Sequence, residues 1–92
     1  MTAHNGRPDF DEAATIGLRA LAWTLGDADV AARMIATTGL DIGDLRARAG
    51  EPALLAAVLS FLEAYQPNLI ACAEALDMNP SQLVAARILL EH

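Results

Sequence analysis

Few residues in this 92-residue chain carry the chemistry of a reactive site. Cys72 is the one thiol, set between Ala71 and Ala73, with no neighbouring base or cation in the sequence to stabilise a thiolate. A cysteine in such surroundings is expected to be buried and inert. The two histidines, His4 and His92, stand at the chain ends. Catalysis needs a nucleophile, a base and an orienting group that converge, and no set of residues here suggests one. Asp27-Ala28-Asp29 resembles the start of a calcium loop, but its sixth and twelfth positions are Ala32 and Thr38 instead of glycine and glutamate. Helix capping accounts for both aspartates better. The Gly39 to Gly43 stretch lacks the lysine and hydroxyl residue of a phosphate-binding loop and the strand before it. The expectation is a non-enzymatic protein with no catalytic, cofactor-binding or metal-ligating residues.

The sharpest local pattern runs from Ala73 to Arg87. It resembles a helix-turn-helix: an alanine-rich helix, a tight turn, a polar cap at Asn79, Pro80 at the first helical position and a second helix with apolar anchors. In that motif the second helix enters the major groove. Read so, residues 69–89 would form a degenerate DNA-binding regulator contacting nucleic acid through Ser81, Gln82 and Arg87. Two features oppose this. The turn position usually held by glycine is Asp77, which must then tolerate a left-handed or otherwise unusual backbone. Arg87 is the one cation of the reading face, with Glu74 and Asp77 close by to repel phosphate. Two core helices joined by a capped turn explain the pattern without DNA.

Surface recognition is the remaining chemistry. Trp23 and Tyr65 are candidate partner-surface residues, since such rings give a large contact area with a polar tip. The competing reading, core packing, is favoured for both, because Trp23 lies on an apolar stripe in a chain with four aromatic residues. Arg46 and Arg48 complete the candidate surface, with a solvated face as the favoured reading for both.

The elements that position these residues are all helical. Pro52 to Leu62 contains one polar side chain, Ser60, and is apolar on every face if helical. It is too short to cross a bilayer, which takes about 20 apolar residues, so a central buried helix over about 52–65 is expected. Asp9, with Glu12 three residues on, opens a first helix. Phe10, Leu18, Leu21 and Leu25 form one stripe on it; Ile16, Ala20 and Trp23 form another. Gly26 should end it in a left-handed conformation. Asp27 opens a second helix, from about Ala28 to Thr37, with Val30, Ala31, Met34 and Ile35 inward and Arg33 outward; Gly39 ends it. Asp41 opens a short third helix with Ile42, Leu45 and Ala49 inward. Pro67 closes off the central helix and starts a fifth, on which Leu69, Ile70, Ala73 and Leu76 face inward. The sixth helix runs to about Leu89 and buries Leu83, Val84 and Ile88. No strand alternation appears. The fold class is therefore all-α: a compact bundle of five to six short helices around the central one. Residues 1–8 should be a disordered tail and 9–89 a single domain. Leu90-Glu91-His92 reads like the first residues of a purification tag.

The charge of −6 argues against nucleic acid and anionic membranes as partners, since phosphate binding is driven by lysine and arginine. Most of the acids fall at expected helix starts, where they cap N–H groups and complement the helix dipole. With one cysteine there is no internal disulfide, and Met1 to Glu12 lacks the basic and apolar regions of a signal peptide. A cytoplasmic location is expected.

Thr38-Gly39-Leu40-Asp41, Leu45-Arg46, Pro52 with the Leu54 to Leu62 run, Pro80 and Ala85-Ala86-Arg87 together resemble a family of short bacterial proteins catalogued as a domain of unknown function. The resemblance covers roughly Ala13 to Leu89. It implies a helical domain and carries over no catalytic or binding residue. The function expected is a helical protein–protein interaction module that binds an unidentified protein or a second copy of itself through apolar helix surface too extensive for so small a chain to bury.

Overall fold

Three aspartates set the first half of the chain. Asp9, Asp27 and Asp41 each sit in extended backbone just before a helix, and each carboxylate accepts a backbone N–H from the first turn. At the first and third, Glu12 and Asp44 reach back to the cap residue, closing capping boxes. The computed structural model describes residues 9–92. These form α1 (Phe10–Leu25), α2 (Ala28–Thr38), α3 (Ile42–Ala47), α4 (Pro52–Glu63), α5 (Gln66–Ala75) and α6 (Pro80–Leu90). No strand occurs among the described residues, so the all-α bundle is as expected; the expected tail over 1–8 lies outside them.

The core is built where α1, α4 and α6 meet. Leu54, Leu55, Val58, Leu59 and Leu62 of α4 are at most 2% exposed, and Met34, Leu45, Cys72 and Leu83 close around them. α1 approaches α4 closely because Gly17 has no side chain: a Cβ there would lie 2.9 Å from the Cβ of Leu55. Thr24, also buried on α1, donates its hydroxyl to the Ala20 carbonyl at 2.8 Å and so carries no unsatisfied group into the core.

Several expectations need correction. α4 is central but not enclosed: Ala53, Ala57 and Ser60 are exposed, one stripe at helical spacing. Their small side chains leave little apolar area in water, so the exposure costs little. α4 ends at Glu63, with Tyr65 the N-cap of α5 and Pro67 in its first turn. Gly26 ends α1 with φ −80° and ψ −9°, right-handed and not left-handed; only Gly39, at φ 76°, takes the left-handed form among the described glycines. Glu51, one of the acids expected to cap a helix start, precedes α4 without capping it and pairs with Arg48 instead. Phe10, Leu18, Ile42, Ile70 and Ile88 point outward at 43–49% exposure. Ala49 lies past the end of α3, and both it and Val84 are half-buried. Leu90 is 4% exposed in the core and Glu91 holds Arg87, so the chain's last turn serves the fold.

No single helix among the described residues is long and apolar enough to cross a membrane. α4 and α5 pass that test only as a pair, and they are bent by 117° at the break between them.

Candidate functional site

The bend between α4 and α5 decides where Tyr65 goes. Pro67 lacks an N–H and cannot continue the helix before it. Tyr65 therefore takes an extended backbone at the corner, φ −137° and ψ 101°, and makes no side-chain cap. The residue is 49% exposed, against the expectation that it completes the core. The Arg33 guanidinium of α2 lies over it, 5.5 Å from the ring centre. Such stacking contributes about 0.5–1 kcal/mol at an exposed site.

Around this pair is a surface cleft of about 340 Å³, lined by Arg33, Ala36 and Thr37 of α2, by Phe61 and Ala64 at the end of α4, and by Tyr65 and Asn68 at the start of α5. The lining is mostly apolar with a few polar tips, the composition of recognition sites generally. Those tips make no side-chain hydrogen bond or ion pair among the described residues. Thr15, Thr24 and Thr38 each donate their hydroxyl to the carbonyl four residues back. Thr37 makes no such bond, the Asn68 amide has no hydrogen-bond partner, and Arg33 faces no carboxylate among the described residues.

Of the other candidate partner-surface residues, Trp23 is half-buried against the core, as the packing reading has it. Arg46 is exposed in the last turn of α3, where a cation complements the helix dipole. Arg48 donates from Nε to Glu51 Oε1 at 2.9 Å. None of the three lines the cleft. The sequence alone gives no recognition role to Arg33, Thr37, Phe61 or Asn68. The only hints were an outward arginine on α2 and the Tyr65-Gln66-Pro67 break, and nothing in the sequence joins the two.

The helix-turn-helix candidate folds as a turn between packed helices. Asp77 takes the left-handed backbone expected of it, φ 58°. The Met78 N–H donates to the Ala73 carbonyl at 2.8 Å and the Asp77 N–H to that of Glu74 at 3.1 Å, the paired bonds of a Schellman motif. Ser81 and Gln82 are exposed, but the Gln82 side chain accepts the Asn79 N–H at 2.7 Å. Arg87 is held by two carboxylates: its Nε donates to Glu63 and its Nη1 to Glu91 at 2.7 Å. Both raise its pKa above the ordinary arginine value. The cleft beside the turn, about 330 Å³, is lined by Glu74, Asp77, Met78, Asn79 and Gln82 and presents acids.

Cys72 is fully buried, and desolvation pushes its thiol up to about 11, with nearby Arg19 pulling the other way. Arg19 is a residue that sequence reasoning missed. From α1 it donates Nη2 to the Leu76 carbonyl at 3.1 Å, tying down the end of α5. No group of three or more potential metal ligands occurs among the described residues.

A family model described as a protein of unknown function (DUF3572) matches residues 10–92. No curated protein and no solved structure matches the chain.

Proposed function

Because the chain belongs to that family of unknown function, we propose its role from geometry: a non-enzymatic interaction module that binds another protein through the corner between α2, α4 and α5. The half-exposed Tyr65 ring, stacked by Arg33 beside Phe61, is the observation that carries this reading. Aromatic and arginine side chains are the types most enriched where binding energy concentrates. The DNA-binding alternative for residues 69–89 draws no comparable support. Its one cation, Arg87, is engaged by Glu63 and Glu91, and phosphate contact would have to break both pairs.

The test is affinity capture from the native cell with three baits: the unaltered protein, Tyr65→Ser, and Ile88→Ser as an exposed control elsewhere. A protein retained by the first and third baits and lost from the second supports the corner as the binding surface. Equal capture by all three, or loss only with Ile88→Ser, overturns it.

A further inference from the structure

We infer that the α2–α4–α5 cleft takes a peptide segment of another protein that places an apolar side chain against Phe61 and Tyr65 and a carboxylate against Arg33. This rests on the proposed interaction role and names the chemistry of the partner.

The polar groups of the cleft carry the inference. The Arg33 guanidinium is donor-only and permanently charged. The Asn68 amide and the Thr37 hydroxyl, each able to accept as well as donate, can add donors beside it, and no acceptor among the described residues meets any of the three. Donors gathered at one site call for an acceptor-rich group, and a carboxylate takes several at once. Charge selects the same group. Elsewhere the surface is acidic, at −6 overall, and would repel a negatively charged segment, while a cation stands at this cleft with no counter-ion among the described residues. The apolar part of the occupant follows from Phe61, Ala36 and Ala64, which offer no hydrogen-bonding side chain.

Shape favours a protein segment over a free small molecule. Small-ligand pockets enclose most of the ligand surface. Here the Tyr65 ring is half exposed before anything binds, and the cleft opens along the corner between helices. A segment of a larger surface can seat one side chain and cover the rim.

Synthetic peptides test this by fluorescence anisotropy on the full chain. One set holds a leucine or phenylalanine beside a glutamate within an amidated peptide. A second holds the same apolar residue at a free C-terminus, which separates a side-chain carboxylate from a terminal one. Matched controls carry glutamine in the first set and an amidated end in the second. Binding by either carboxylate set, weakened about tenfold or more by its neutral control and by Arg33→Gln, and abolished by Tyr65→Ser, is the expected result. Binding that needs Tyr65 but is indifferent to the carboxylate and to Arg33 overturns the inference and leaves the interaction surface standing. Binding that is indifferent to Tyr65, or no binding by any peptide, overturns the inference; the capture experiment then decides separately on the surface. The neutral controls alter the peptide alone, so the charge comparison holds even if a protein variant folds poorly.

Discussion

Replacing glycine by alanine at three positions should give three different outcomes, set by what surrounds each. At Gly17 the new Cβ would lie 2.9 Å from the Cβ of Leu55 and 3.4 Å from its Cγ and Cδ1. Carbon atoms in good contact stand about 3.5–4.0 Å apart. The Leu55 Cβ is fixed to the backbone and cannot rotate away, so α1 and α4 must separate by several tenths of an ångström. Overpacking of this kind costs about 1–3 kcal/mol, and alanine's better helix propensity returns about 1 kcal/mol. A net loss of about 1 kcal/mol lowers Tm by roughly 4–8 °C in a domain this size. Gly26 already has a right-handed backbone, and its nearest neighbours to a new Cβ are carbonyl oxygens at 3.4 and 3.5 Å. Alanine there should stabilise by about 0.4–1 kcal/mol, chiefly by restricting the unfolded chain. Gly39 has open space but φ 76°, so alanine should cost about 1–2 kcal/mol through backbone strain alone. Thermal and urea unfolding of the three variants would measure these differences. A Gly17→Ala protein that gains stability as Gly26→Ala does would refute the close crossing of α1 over α4.

Other substitutions test the remaining contacts. Cys72 keeps its proton in the folded chain up to about pH 11, against 9.0 ordinarily, while the unfolded chain releases it earlier. Its contribution is therefore intact below pH 9 and lost as pH rises toward 11, on the order of 2–3 kcal/mol; unfolding of Cys72→Ala across that window should lack this fall. Leu90→Ala should cost about 2 kcal/mol and lower Tm in urea and heat alike, whereas no change would place the last turn outside the fold. Arg19→Met should destabilise by about 1 kcal/mol and speed amide hydrogen exchange at the end of α5 more than elsewhere.

Local chemistry made the helices legible, and tertiary packing hid the site. Asp9, Asp27 and Asp41 act within one turn of themselves, so their caps could be read from spacing. At Asp77 the helix-turn-helix pattern, which usually has glycine there, pointed to a left-handed or otherwise unusual backbone, and the left-handed form is found. Periodicity tells which residues share a face but not how wide a face the neighbours cover. That is why Ile42, Ile70 and Ile88 were placed inward and are exposed. Tyr65 belongs to no stripe, because it sits at the corner where one helix ends and the next begins. Its partner Arg33 is 32 residues earlier and meets it only after α2 folds back. The Arg19 bond to Leu76 spans 57 residues and left no trace in the sequence.

The arginines show where folding leaves recognition chemistry unused. Arg19 is engaged by a carbonyl, and Arg48 and Arg87 by carboxylates. Arg46 complements the end of α3. Arg33 lies in the middle of α2, away from either helix end, and none of these local uses accounts for it. It makes no hydrogen bond or ion pair among the described residues and lies over the face of Tyr65, itself half exposed. Exposed stacking of this kind stabilises a fold by less than the side-chain order it requires. On the proposed interaction reading, these two large side chains at the mouth of an apolar cleft, which do not serve the core, are surface that a partner can cover.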